Sequence, residues 1–118
     1  MQGFTYQGKA LRAAKSEGTV WFVAADVCKM IGLENPSMVV KTQVRGGHKA
    51  KLKLETAGGA QDFICVNDLG LYEIVLSARG EQAVRFEKWI ASEVFPAVGL
   101  KPIEPSKAGS ESKKEGPK

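Results

Sequence analysis

Asn35, Ser37, Lys41, Gln43, Arg45, Lys49, Lys51 and Lys53 crowd into one short stretch, and no acidic residue lies among them before Glu55. Lysine ammonium groups are point charges that suit phosphate. Arginine, asparagine, glutamine and serine side chains can hydrogen-bond the edges of bases. The chemistry this stretch can do is the binding of a polyanion, with double-stranded DNA as the first candidate. The alternative is a solvated lysine-rich surface that binds nothing.

Catalysis has no comparable support. His48 is the only histidine, and in a Gly-rich basic loop it reads as a solvent-exposed turn residue. His48, Cys28 and Cys65 lack the spacing of metal ligands, and neither Gly46-Gly47 nor Gly58-Gly59 leads into the Lys-Ser/Thr pair of a phosphate loop. No Ser, Cys or His is matched with a base. No catalytic residue, metal or cofactor is therefore expected. Asp26, Asp68 and Glu81 read as charges at helix starts.

The element that would carry Ser37 and Lys41 is a short helix. Asn35 is a natural N-cap, and Pro36 fits the first helical position, where its missing N–H costs nothing. The spacing predicts a helix over 36–43. Ser37, Lys41 and Arg45 stand at i, i+4 and i+8, so they share a polar stripe if the helix persists that far. Upstream, Ala24, Val27, Cys28 and Ile31 form the apolar stripe of a helix over 24–31, which Gly32 stops. Two short helices joined by a tight Gly turn have the local plan of a helix-turn-helix.

Arg45-Gly46-Gly47-His48 breaks the second helix. Residues 50–55 then alternate apolar and charged, the period of a half-buried strand with Lys51 and Lys53 opposite Leu52 and Leu54. Ala57-Gly58-Gly59-Ala60 is a turn, and 62–66 is the returning strand. A recognition helix with a basic hairpin beside it would use both elements on DNA.

Around this unit, strands are expected over 4–7, 10–14 and 20–23, the last two joined at Ser16-Glu17-Gly18-Thr19. A helix capped by Asn67 runs to about residue 77 and turns Leu71, Tyr72, Val75 and Leu76 inward. A final helix spans about 81–95, with Ala83, Phe86, Ile90 and Val94 on one stripe and Trp89 packed beside it. Pro96 ends it. Glu93 reads as an exposed charge or as a group that fixes a loop. The fold class is α+β, a small mixed domain of short antiparallel strands and about four helices, over 1–100. Residues 101–118, rich in Pro, Gly, Ser and Lys, read as a disordered tail or linker.

Composition narrows the setting. A hydrophobic share of 43% and a charged share of 25% are ordinary globular values, and the net charge of +4 is modest enough for its distribution to matter more than its sum. No apolar run is long enough for a membrane span, and the N-terminus lacks the pattern of a signal peptide. A cytoplasmic location is the expectation. Cys28 and Cys65 fit it as buried thiols rather than a disulfide framework.

Four blocks together resemble a known family. They are Trp21-Phe22-Val23-Ala24-Ala25-Asp26-Val27 with Ile31-Gly32-Leu33-Glu34-Asn35-Pro36, then Val66-Asn67-Asp68-Leu69-Gly70-Leu71-Tyr72, then Ala83-Val84-Arg85-Phe86-Glu87-Lys88-Trp89, then Ser92-Glu93-Val94-Phe95-Pro96. In order and spacing the chain is similar to the BRO family N-terminal (Bro-N) domain of phage and prophage antirepressor-like proteins and large DNA viruses of insects. The resemblance implies an α+β domain associated with DNA binding and often joined to a second, C-terminal domain. Family members usually continue from the last block into a basic stretch and a Gly-Tyr. Here Ala97-Val98-Gly99-Leu100-Lys101-Pro102 leads into the polar tail, a departure that bears on the antirepressor role more than on the fold.

These readings converge on a non-enzymatic, DNA-binding module of transcription regulation. The competing reading is a protein-interaction module that binds and inactivates a repressor without touching DNA. Pairing into a homodimer is compatible with either, although no heptad marks an interface.

Overall fold

A computed structural model describes residues 2–78 and 80–100. The expected tail over 101–118 lies outside the described residues. The described chain forms two units, 2–87 and 88–100.

The first unit is built on a five-stranded antiparallel sheet of order β1-β2-β3-β5-β4. Its strands are β1 (Gln2–Tyr6), β2 (Lys9–Ser16), β3 (Thr19–Val23), β4 (Lys49–Thr56) and β5 (Gly59–Val66). The first three form a meander joined at Gln7-Gly8 and Glu17-Gly18. Both residues of each turn have positive φ, the geometry that matches the twist of tight hairpins. Four helices accompany the sheet: α1 (Ala24–Met30), α2 (Pro36–Gln43), α3 (Asp68–Ala78) and α4 (Glu81–Trp89). The expected α+β class is the observed one. Strand ends differ from expectation by up to three residues, because ladder partners rather than local propensity decide where pairing stops.

One sheet face carries Leu11, Ala13, Phe22 and Val66, all buried. Helix α3 approaches that face closely because residue 70 is glycine. A methyl group there would stand 2.6 Å from the His48 carbonyl oxygen and 2.9 Å from Cβ of Val66. The Asn67 side-chain Oδ1 accepts from the Gly70 N–H at 2.9 Å, and the Asn67 backbone N–H donates to the His48 carbonyl at 3.1 Å. On α4, Phe86 is buried and meets the Tyr6 ring edge-on at 6.2 Å.

Helix α1 ends in a Schellman motif. The Leu33 N–H reaches the Cys28 carbonyl at 2.8 Å, and Gly32 takes φ 77°, a conformation costly for any residue with a Cβ. The Gln82 side chain donates to the Met30 carbonyl at 3.0 Å, which satisfies another helix-end acceptor. Helix α2 covers the residues expected of it, capped by Asn35 in the left-handed conformation, whose Oδ1 accepts from the Met38 N–H at 3.4 Å.

The second unit is short. Ile90–Val94 forms a π turn and Phe95–Ala97 a further helical turn, α5. Pro96 therefore does not stop the helix as expected. It sits at the start of a new turn, where no N–H is required of it. The stop comes at Gly99, where the Leu100 N–H donates to the Phe95 carbonyl at 2.8 Å. Ile90, Val94 and Phe95 are buried, whereas Glu93 is exposed. No helix among the described residues is long and apolar enough to cross a membrane.

Candidate nucleic-acid interface

The β4–β5 hairpin joins the meander only at its base. Strand β3 pairs with β5 at Phe22↔Val66 and Val23↔Cys65, and from there α1 takes the chain away. The outer part of the hairpin is therefore paired on one side only, strand to strand. Its two-residue turn, tied by the Thr56 hydroxyl donating to the Gly59 carbonyl at 2.7 Å, fixes the register from Thr56↔Gly59 inward. Lys51 then stands opposite Ile64, Lys53 opposite Asp62, and Lys49 opposite Val66. All six share one face by strand alternation. Leu52, Leu54 and Phe63 occupy the other face and are half-buried.

The base of the hairpin is gripped on that second face by Arg12. Its guanidinium lies 4.8 Å from the centroid of the Phe63 ring. The same group is held by Asp26, with Nε donating to Oδ2 at 2.8 Å and Nη2 to Oδ1 at 2.9 Å. The Arg12 backbone N–H donates to Oδ2 as well, at 3.0 Å. The β2–β3 ladder stops at Ala13↔Phe22, so the carboxylate takes the next strand N–H in place of β3. Asp26 is thus not merely a helix-start charge, as its position in the first turn of α1 suggested. It is a buried side chain that accepts three bonds. The hydrogen bond to Asp26 pushes the guanidinium pKa above its already high ordinary value. Cys28 and Cys65 are buried free thiols, as expected, and desolvation pushes each to about 11.

On the lysine face, α2 and the hairpin enclose a cleft of about 270 Å³. Ser37, Val40 and Lys41 line one side, and Lys49, Ala50, Lys51 and Ile64 the other. It adjoins a second cleft of about 280 Å³, which shares Ser37 and Ile64 and extends past Pro36, Phe63 and Asp62. Four of the eight sequence-selected residues meet here: Ser37, Lys41, Lys49 and Lys51. Lys41 and Lys51 are exposed and make no ion pair among the described residues. The Lys49 ammonium donates to the Val40 carbonyl, at 3.5 Å.

The other four are placed differently. Lys53 faces Asp62 at 3.5 Å on the exposed hairpin. Asn35 caps its own helix, and Gln43 reaches the Thr42 hydroxyl at 3.4 Å. Arg45 leaves the stripe of Ser37 and Lys41, because α2 ends at Gln43 and the backbone is extended from Val44. Its guanidinium lies 3.5 Å from Glu73, and its N–H donates to the same carboxylate. Nor is His48 an exposed turn residue. Half-buried in a single 3₁₀ turn, it places Nδ1 2.9 Å from Glu73 Oε1.

Ile64 was missed by sequence reasoning although it joins the two clefts. Its signal was present in the register: counting outward from a two-residue turn places it beside Lys51. Among the described residues, no three His, Cys, Asp or Glu side chains are placed to hold a metal ion.

The family model of the BRO family, N-terminal domain, matches residues 10–96. An uncharacterized protein of Haemophilus influenzae is 28% identical over 82 residues. That stretch covers 70% of this chain and 41% of the relative, so the chain matches well under half of that protein's length. No solved structure matches.

Proposed function

Since the chain belongs to the BRO family through its N-terminal domain, we propose that it is a DNA-binding regulatory module of antirepressor type, using α2 and the β4–β5 hairpin on duplex DNA. The family is a phage antirepressor family rather than an enzyme family. The observation that carries the DNA reading is the gathering of Lys41, Lys49 and Lys51 around one cleft where, among the described residues, no carboxylate pairs with Lys41 or Lys51. Unpaired cations converging from a helix and a strand supply the sequence-independent share of DNA affinity, which comes from phosphate neutralisation. Ser37 adds a hydroxyl at the first turn of α2, where backbone N–H groups favour an anion.

Fluorescence anisotropy of a labelled random duplex tests this. The protein should bind at low salt, and a Lys41→Glu, Lys51→Glu variant should lose at least tenfold in affinity while keeping its fold. Equal binding by the variant would remove the cleft from the interface.

A second reading has its own observation. Leu69 and Leu76, seven residues apart on α3, are 44% and 56% exposed, and Val84 on α4 is 50% exposed. Apolar side chains of this size left in water suit a protein surface, such as that of a repressor. If the protein captures a repressor and fails to bind duplex at any salt, this reading replaces the first.

A further inference from the structure

Resting on the DNA reading above, we infer that the cleft between α2 and the hairpin seats one sugar–phosphate strand, so that helix and hairpin flank a single backbone. A duplex groove accepts a protrusion, whereas this surface is concave where the lysines meet. The feature of DNA that fits a concavity is the backbone ridge between two grooves. The lining matches that ridge in chemistry. Lys41, Lys49 and Lys51 line it as cations suited to phosphate oxygens, and the floor that Val40 and Ile64 contribute is apolar, as deoxyribose is on its carbon face.

The most exposed part of that floor is Ile64, at 37%. An isoleucine exposed between cations is poorly placed for a free surface but well placed for a sugar that carries a charged group on either side. Among the described residues, the acid on the lining is Asp62, in the adjoining cleft, and Lys53 faces it. The Arg12 stack on Phe63 holds the hairpin base and therefore the side of the cleft that Ile64 forms.

The test uses a thiol placed in the cleft. Cys28 and Cys65 are buried and held protonated, so a maleimide at neutral pH reads the introduced thiol. Ser37→Cys places it in the cleft, and Thr5→Cys, exposed on β1 at the sheet edge opposite β4, is the surface control. With a 16-base-pair random duplex bound, as followed by anisotropy in the same sample, alkylation of Ser37→Cys should slow at least tenfold. Thr5→Cys should stay within twofold. Ser37→Cys alkylated beforehand should lose at least tenfold in DNA affinity. If DNA binds but Ser37→Cys reacts at its free rate, the strand lies outside the cleft and this inference fails while the DNA reading stands. Absence of duplex binding by the parent chain would overturn both.

Discussion

Arg12 and Lys51 belong to the same sheet, one on β2 and one on β4, yet their charges have opposite fates. The Arg12 guanidinium is taken up three ways, by two bonds to Asp26 and a ring face of Phe63. Lys51 faces a cleft it shares with Lys41 and Lys49 and, among the described residues, meets no carboxylate there. A half-buried cation must find partners because desolvation is costly. An exposed one needs none, so a cluster of unpaired cations turned to one concavity has no architectural cause. The comparison separates charge that builds the fold from charge left available to a partner. The two regions are also coupled, since the stack of Arg12 on Phe63 holds the strand that presents Ile64.

Changes to the paired region should register as stability, and changes to the open one as binding. Asp26→Ala leaves a guanidinium and a strand N–H without their acceptor. With Asp26 buried and Arg12 about a third exposed, the expected loss is about 2–3 kcal/mol in urea unfolding. A loss below about 0.5 kcal/mol would erase the contrast.

Gly70→Ala probes the packing that seats α3 against His48. A methyl 2.6 Å from a carbonyl oxygen must displace backbone, so a loss of about 2 kcal/mol is expected in the same measurement. Unchanged stability would mean that α3 can shift freely.

The buried thiols beside the paired region give a pH effect. In the unfolded chain they lose their protons near 9, and in the folded protein near 11. Between those values the unfolded state binds fewer protons, so stability is full below pH 9 and declines as pH rises toward 11. The urea midpoint should fall between pH 8 and 10.5, and fall less in a Cys28→Ala, Cys65→Ala variant. An identical decline in both would locate the effect elsewhere. Smallest of all, Lys41→Ala and Lys51→Ala should each change stability by under about 0.5 kcal/mol; a larger loss would reassign these lysines to the fold.

Much of this was readable from local pattern. Asn35-Pro36 and the alternation around Lys51 and Lys53 placed the two elements that enclose the cleft, because caps and strand periods are local signals. What escaped depends on distant partners. Asp26 lies fourteen residues from Arg12, and Glu73 lies 25 from His48 and 28 from Arg45. Neither partnership has a local signature. Arg45 was misplaced by extending the phase of α2 past its end, where His48 and Arg45 both turn to Glu73. The π turn at Ile90–Val94 and the turn begun by Pro96 left the periodicity of the final helix nearly unbroken, so the pattern showed one helix.

The central claim is that the unpaired lysines of the cleft are the phosphate contacts. The salt dependence of duplex binding tests it most directly. For three such contacts the plot of log affinity against log salt should slope at about −2.7, and Lys41→Ala or Lys51→Ala should each flatten it by about 0.9. A slope that neither substitution changes would contradict the claim.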